Sequence, residues 1–486
     1  MNRKERRRQE KERKKTGGPL PAIIPLLDAA YAHQQAGRFT EAAAGYEEAL
    51  RFDPNYAPAH DNLGVVLAAL GRTEDAADHH RQATVLQPAS ADAHYNLGTA
   101  LLAGGHHADA ATAFARAIQI NPADADAHHN LGTCLHHQDR WDDAAMSFRR
   151  ALELAPHRAE TLNNLGAVLV KQGQPTEAEH CLRQALEIEP AHVGALDNLG
   201  SALIGQGRPE DAVASLDRAL ELSPERADTR CNLGTVLMSL GRVTEATKAF
   251  EHCHAIDPSN TSASHMIAAA AGQTPATAPR EFVEKLFDAY AGHFEDHLVQ
   301  GLGYRVPEQL RELVGNIDGH PATFAQALDL GCGTGLMAAA FADLADAIDG
   351  VDLSPQMIAQ AKASGRYRAV HVDDAVDFLA REEVAATGYD LILAADVLIY
   401  LGDPAPLFQA VGGVLAPEGL FGLSIELTDQ GPYTLLASGR FAHAEESVRA
   451  LVGECGFAIV AEEGMTIRTE NGVDIAGLVL VLQKAG

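Results

Sequence analysis

Residues 54–87 read PNYAPAHDNLGVVLAALGRTEDAADHHRQATVLQ, and residues 88–121 read PASADAHYNLGTALLAGGHHADAATAFARAIQIN. The second stretch repeats the design of the first, shifted by 34 positions. Self-similarity at such a period is the mark of a stacked repeat. Working outward from this pair, proline recurs at Pro54, Pro88, Pro122, Pro156, Pro190, Pro224 and Pro258. An Asn-Leu-Gly triplet begins at Asn62, Asn96, Asn130, Asn164, Asn198 and Asn232, and alanine keeps the period from Ala42 to Ala246. Glycine keeps it from Gly37 to Gly241, with Asp139 as the one departure. The small Gly and Ala mark where two antiparallel helices cross closely. The mid-repeat glycine turns the chain, and the proline stops the second helix. One such unit cannot bury its apolar face alone, so the units must stack into a curved solenoid with a groove.

These motifs resemble the tetratricopeptide (TPR) family over about residues 23–260, as seven units, with a helical cap in TSASHMIAAAAG that takes the array to residue 271. The resemblance implies an α-solenoid that binds a protein or peptide. The six in-register asparagines sharpen this expectation. An amide carries both donor and acceptor, so a ladder of amides pointing into the groove, rather than between helices, can hold an extended peptide backbone. The TPR superhelix of O-GlcNAc transferases is similar here. The competing reading is that Asn is simply a habitual residue at this place. Histidine doublets such as His79–His80 and His136–His137 lack the i, i+3 or i, i+4 spacing of a helical metal pair. They read as surface or partly buried residues, and no metal site is expected. His60, His94 and His128 occupy equivalent positions and are expected to stack along the solenoid.

The chain of 486 residues is long enough for about two to four domains. It is 46% apolar and 21% charged, an ordinary globular balance. Its net charge of −28 argues against a nucleic-acid-binding body, which needs basic stripes to meet phosphates. The exception is MNRKERRRQEKERKK, where nine Lys/Arg face three Glu. Residues 1–22 therefore read as a basic, solvated tail. Cys134, Cys181, Cys231, Cys253, Cys332 and Cys455 form no CxxC pair, the free-thiol pattern of a reducing cytosol. No apolar run is long enough for a membrane span, and LPAIIPLLDAAY lacks a cleavage-like site. A cytoplasmic protein is expected. Arginine in preference to lysine, with much Ala and Gly, suits a GC-rich bacterial genome.

GQTPATAP breaks the helical pattern and reads as a linker over 272–280. Beyond it, short β-rich runs alternate with helical stretches, the pattern of an open α/β sheet. Strands are predicted at 327–331, 347–353, 369–374, 389–400, 419–426, 458–468 and 477–484. The first runs into Asp329-Leu-Gly331-Cys-Gly333-Thr-Gly335 ahead of a helix, where a tight glycine turn lets a ligand lie against backbone. A glycine loop alone is weak, because dinucleotide enzymes have one too. Three features favour S-adenosylmethionine. The spacing is GxGxG after an acidic strand residue. Asp352 ends the second strand, where a carboxylate can accept both ribose hydroxyls. Asp373 and Asp374 close the third, within reach of an adenine amino group. Asp329 stands where it can hold the ligand's ammonium.

The stretches LFDAYAGHFEDHLVQGLGYRVPEQL, LDLGCGTGL, DVLIYLGD, SGRFAHA and IRTENGVDIAGLVLVL resemble class I methyltransferases over residues 281–484, in particular the bacterial predicted methyltransferases that carry TPR repeats. The resemblance implies a Rossmann-like α/β domain over 281–486, with a seven-stranded, mostly parallel sheet and a reversed last hairpin. It implies S-adenosylmethionine as cofactor, at Asp329, Gly331, Gly333, Gly335, Asp352 and Asp374. Cys332, Leu353, Asp373 and Asp396 complete the expected lining. Methyl transfer to a proton-bearing acceptor needs a base, and many such enzymes have no obvious one. The candidates are Asp396 and Tyr400 after the fourth strand, and Tyr290, His293 and His297 in the preceding helix. Tyr290, Phe294 and His297 share one face of that helix, either packing on the core or closing as a lid. Tyr304–Arg305 and Arg440–His443 read as polar loops suited to an acidic or hydroxylated acceptor. The acceptor is either a protein captured by the groove or a small molecule, with the repeats then serving only as a scaffold. An adaptor that merely senses the cofactor is the third reading.

Overall fold

Each of the seven units yields two helices, from Ile24–Gln35 and Phe39–Phe52 to Ala227–Ser239 and Val243–Ile256, and Thr261–Ala270 follows as a fifteenth. They belong to a computed structural model that describes residues 19–290, 294–317, 322–470 and 473–484. The chain falls into two compact units, residues 1–206 and 207–486.

In the first unit, the glycine of the Asn-Leu-Gly triplet is a socket for the residue sixteen positions on. A Cβ at Gly98 would lie 2.8 Å from the Phe114 ring, one at Gly132 2.7 Å from Phe148, and one at Gly166 2.6 Å from Leu182. The second helix of a repeat thus lies directly on the backbone of the first, and its large side chain is fully enclosed. In the second repeat the socket at Gly64 receives His80, which is 2% exposed. A buried imidazole needs a partner. His80 Nδ1 donates to Asp61 over 2.7 Å, and Asn96 Nδ2 donates to the same carboxylate over 3.1 Å. The mid-repeat turns require positive φ, and Asp139 adopts it at 55°, in line with 77° at Gly105 and 68° at Gly173.

The ladder asparagines do not simply face a groove. Asn96 donates to Asp61, Asn130 Nδ2 to Tyr95 Oη over 3.2 Å, and Asn198 Nδ2 to Asn163 Oδ1 over 2.9 Å. Each bond reaches back 35 residues into the preceding repeat, so these amides tie neighbouring first helices together. The expectation that they point away from the helix interfaces is corrected. They sit half-buried at a crowded seam, where an amide must find a local partner. The equivalent histidines have local partners too. His60, His94 and His128 bond the carbonyls of Pro54, Pro88 and Pro122 at 2.9, 3.2 and 3.2 Å, closing the loop before each first helix.

The second unit carries the remaining helices and a sheet. Its strands are β1 (Ala327–Leu330), β2 (Ile348–Asp352), β3 (Ala369–Val372), β4 (Tyr389–Ala394), β5 (Leu415–Glu426), β6 (Tyr433–Leu435), β7 (Phe441–His443), β8 (Phe457–Glu470) and β9 (Val473–Lys484). Seven form one sheet in the order β3-β2-β1-β4-β5-β9-β8. β1 to β5 run parallel, and β9 is antiparallel to both its neighbours. β1 is buried at every position and β4 at every position but Asp390, because both faces of the sheet are covered.

Three local expectations change. The fourth strand stops at Ala394, and Leu398–Tyr400 is a 3₁₀ turn. β6 and β7 pair as a separate small hairpin inside a stretch too short and polar to read as strands. Residues 276–278 lie against the loop after β4, with Ala278 N–H donating to Tyr400 O over 2.9 Å and Asp403 N–H to Ala276 O over 2.8 Å. Among the described residues no helix is long and apolar enough to cross a membrane.

Candidate cofactor and acceptor site

β1 delivers the chain into a turn in which Gly331, Gly333 and Gly335 have φ of 66°, 52° and 106°, ahead of the short helix Leu336–Ala340. Side-chain-bearing residues rarely hold this conformation three times within five positions. Asp352, at the end of β2, fixes the turn. Its Oδ2 accepts the Gly333 N–H and its Oδ1 the Ser354 N–H, both over 2.9 Å. Between the glycines, Thr334 is 3% exposed, and its Oγ1 has no hydrogen-bond partner. A buried hydroxyl left this way fits a polar ligand at the turn. Among the described residues no cluster of His, Cys, Asp or Glu is arranged to hold a metal ion.

Asp329 is buried one residue before the end of β1. Burial pushes its carboxyl up to about 7, aided by the nearby Asp352 charge and opposed by the Tyr367 hydroxyl, which donates to Oδ2 over 2.6 Å. The Tyr367 ring also fills the space beneath the turn. A Cβ at Gly335 would meet it at 3.2 Å and one at Gly350 at 3.0 Å. Tyr367 carries no motif and was invisible to spacing arguments. Cys332, buried beside it, is an apolar filler whose thiol burial holds far above its ordinary range.

Asp373 and Asp374 do close β3, but both carboxylates have local partners. Asp373 pairs with Arg381. Asp374 caps the helix Ala375–Leu379 through the N–H groups of Val376 and Asp377 and pairs with Arg280. Leu353 joins Tyr400 and Phe287 in one apolar cluster, the Phe287 and Tyr400 rings being 5.5 Å apart. Phe294 comes within 3.6 Å of a Cβ placed at Gly333. The segment expected as one helix is an α-helix over Arg280–Tyr290 and a π-helical turn over Asp296–Gly301. His293 and the side chains of Tyr290 and His297 lie outside the described residues.

A second group of charges occupies the carboxyl ends of β4 and β5. Asp396 has φ of 56°. Its N–H donates to Ser424 Oγ over 2.9 Å, the Ser424 hydroxyl donates to Oδ1 over 3.2 Å, and Arg468 Nη1 donates to Oδ2 over 3.0 Å. Arg468, on β8, also pairs with Glu426 at the end of β5. Arg440 Nε stands 3.3 Å from the same Glu426. Both arginines therefore face the buried Glu426 carboxylate, so Arg440 is not the free cation expected here for an acidic acceptor. Tyr304 is 5% exposed within the core rather than in a polar loop, because its ring belongs to the apolar cluster behind the sheet.

Comparison with known proteins bears on both halves. Residues 26–271 match the family described as Cilia and flagella-associated protein 70 C-terminal domain, and residues 328–421 match the family described as Methyltransferase domain. The chain belongs to that repeat family and carries a class I methyltransferase domain. The methyltransferase domain is similar to the ubiquinone biosynthesis O-methyltransferase of Xanthomonas oryzae pv. oryzae, 31% identical over 103 residues, 21% of this chain and 42% of that protein. The enzyme of the same name from Xylella fastidiosa is 33% identical over 102 residues, 20% of this chain and 41% of that protein. The match thus spans about two fifths of the length of these relatives. The repeats are similar to YrrB, described as a TPR protein with an unusual peptide-binding site, at 24% identity, with a TM-score of 0.35 over 37% of this chain and 94% of YrrB. The matched part of the methyltransferase domain includes the glycine turn, Asp352, Asp374 and Asp396. Glu426, Arg440 and Arg468 lie beyond it.

Proposed function

We propose that residues 281–486 bind S-adenosylmethionine at the glycine turn and transfer its methyl group to an acceptor entering over the carboxyl ends of β4 and β5. Residues 23–271 recruit that acceptor as a protein or peptide, residues 1–22 are a basic tail, and residues 272–280 join the two parts in a cytoplasmic bacterial enzyme. The observation that carries the reading is the turn itself. Three left-handed glycines, the orphaned Thr334 hydroxyl and the Asp352 anchor converge at the end of β1. The cofactor supplies a methyl carbon already activated by positive sulfur.

The protein's part is binding, alignment and exclusion of water. Asp329 meets the ligand's ammonium, and Asp352 meets the ribose while holding the Gly333 amide. Gly331, Cys332, Gly333 and Gly335 form the floor. Leu353 and Phe287 flank the adenosine, with Asp373 or Asp374 at the base edge. Asp396, Tyr400 and Glu426 border the acceptor. A proton-bearing acceptor passes its proton to a group on this edge or to water. In the array, Asn96, Asn130 and Asn198 each use an Nδ2 donor between repeats, and their remaining N–H and carbonyl serve a peptide backbone. The acidic body, with 17 Lys/Arg against 32 Asp/Glu over residues 16–271, disfavours nucleic acid.

The similarity to enzymes named for ubiquinone biosynthesis favours a second reading, a small-molecule acceptor with the repeats as scaffold. Calorimetry with S-adenosylmethionine and S-adenosylhomocysteine tests the cofactor, with NADH as control. Binding of NADH in their place would overturn the assignment. Tritiated cofactor added to a lysate of the deletion strain, followed by separation of macromolecular from small products, decides between the two acceptors.

A further inference from the structure

We propose that the capping helix of the repeat array builds the acceptor edge of the methyltransferase domain, with His265 as a positioning residue for the Arg440–Glu426–Arg468–Asp396 chain. The inference rests on the acceptor edge assigned above. His265, in the helix Thr261–Ala270, is 3% exposed, and its Nε2 donates to the Gly439 carbonyl over 2.8 Å. Burial holds this imidazole below its ordinary range, so it stays a neutral donor. The fit around Gly439 is close. With φ of 80°, a Cβ there would lie 2.9 Å from Met266 Sδ and 3.4 Å from Phe282 Cζ. Two consecutive residues of the capping helix thus rest on the backbone of one tight turn, closed by Gly439 N–H to Leu436 O over 2.9 Å and Leu436 N–H to Arg440 O over 2.8 Å.

That turn joins β6 to β7, and its last residue is Arg440. Arg440 faces Glu426, Glu426 pairs with Arg468, and Arg468 holds Asp396. The far end of the hairpin is pinned separately, His443 Nε2 donating to Leu401 O over 2.8 Å. A three-residue hairpin has little stability of its own. It is ordered by what it rests on, and at the turn that is a helix of the repeat array. A repeat array serving only as a tether would not bury a hydrogen-bonded histidine against the sheet domain. The acceptor edge is therefore incomplete without residues 261–270, and a catalytic fragment cut at residue 275 lacks one of its supports.

The test uses the full chain. His265→Phe keeps a ring and removes the donor, and His265→Gln restores an N–H at similar reach. Tritiated methyl transfer into the macromolecular and small-product fractions of the deletion-strain lysate is measured at varied lysate concentration. His265→Phe should raise the apparent KM for the lysate acceptor about five- to tenfold, the effect of one lost buried hydrogen bond. Affinity for S-adenosylhomocysteine by calorimetry should be unchanged. His265→Gln should return KM to within about twofold of wild type. Hydrogen exchange of residues 433–443 should accelerate in the Phe variant alone. Gly439→Ala crowds the same contact from the other side and should reproduce the KM change if the Phe variant fails to fold. Wild-type KM and wild-type exchange in folded His265→Phe would overturn the proposal. Absence of cofactor binding in the wild type would instead overturn the functional reading, and exchange of residues 433–443 would still judge the coupling.

Discussion

Asp329→Asn should have opposite effects on the free and the cofactor-bound protein. The fold buries this carboxyl completely and pushes it up to about 7 from 3.8. A group that binds its proton more tightly when folded contributes stability below its unfolded value, and that contribution is lost as pH rises towards the folded value. The full difference of about three pH units corresponds to about 4 kcal/mol, of which about 2 kcal/mol falls between about pH 5.5 and about pH 8. Asn keeps an acceptor for the Tyr367 hydroxyl and never ionises. Without ligand, the variant should be more stable than wild type at about pH 8, by up to about 4 kcal/mol, and should lose the pH dependence assigned to this group. With ligand the sign reverses, because the charge that burdened the empty site faces an ammonium. Affinity for S-adenosylmethionine should fall by about 1–3 kcal/mol, and wild-type affinity should weaken below about pH 7 where Asp329 takes up its proton. Urea unfolding at both pH values, read by hydrogen exchange of β1 and β2, measures the first effect, and calorimetry across pH measures the second. A variant that is less stable at high pH without ligand, yet binds as wild type does, would refute the reasoning.

Gly333→Val places a β-branched residue at positive φ in the turn and should abolish cofactor binding by calorimetry while the array keeps its helical circular dichroism. Asp352→Ala removes the anchor of the Gly333 amide as well as a ribose partner, so affinity should fall by at least about 1–3 kcal/mol, measured by the same titration. Replacing Asn130, Asn164 and Asn198 together by Ala removes the inter-repeat bonds of Asn130 and Asn198 and the local Asn163–Asn164 bond, and should lower the array's stability to urea by roughly 0.5–1.5 kcal/mol per bond lost. If the ladder also holds a peptide, capture of a protein acceptor should fall about ten- to a hundredfold in the folded triple variant, and unchanged capture would favour the small-molecule acceptor.

The repeats were legible because their cause is periodic. Gly98 and Phe114 recur at fixed spacing, so their contact is written in the sequence. His80 breaks that rule, and its partner Asp61 is shared with Asn96 of the next repeat, a link that spacing alone does not reveal. The glycine turn and the acids at the strand ends were legible for a similar reason, since they are local to strand–turn–helix junctions. What they bind locally was not. The Asp374 cap is a three-residue event, yet its ion pair with Arg280 spans the sheet's first three strands. Tyr367 beneath Asp329 and Arg468 against Asp396 are contacts across 38 and 72 residues between side chains without motif. Nothing in their neighbourhoods announces them. The β6–β7 hairpin escaped because three residues are too few to show alternation, and its order comes from elements elsewhere in the chain.

The amide bonds of the ladder reach back one whole repeat and one residue, from Asn96 to Asp61, Asn130 to Tyr95 and Asn198 to Asn163. That offset makes the array modular in a strict sense. A duplication or deletion of 34 residues leaves every seam with a legitimate neighbour, whereas a gain or loss of any other length turns an amide towards the wrong face. The residue that receives the bond is free to vary, as Asp, Tyr and Asn do here, provided it offers an oxygen. Units can accordingly be copied or shed by recombination without redesigning the seam. Only the final helix is exempt, since its His265 and Met266 are shaped to one turn of the methyltransferase domain. The number of repeats can drift between lineages while that last junction stays fixed.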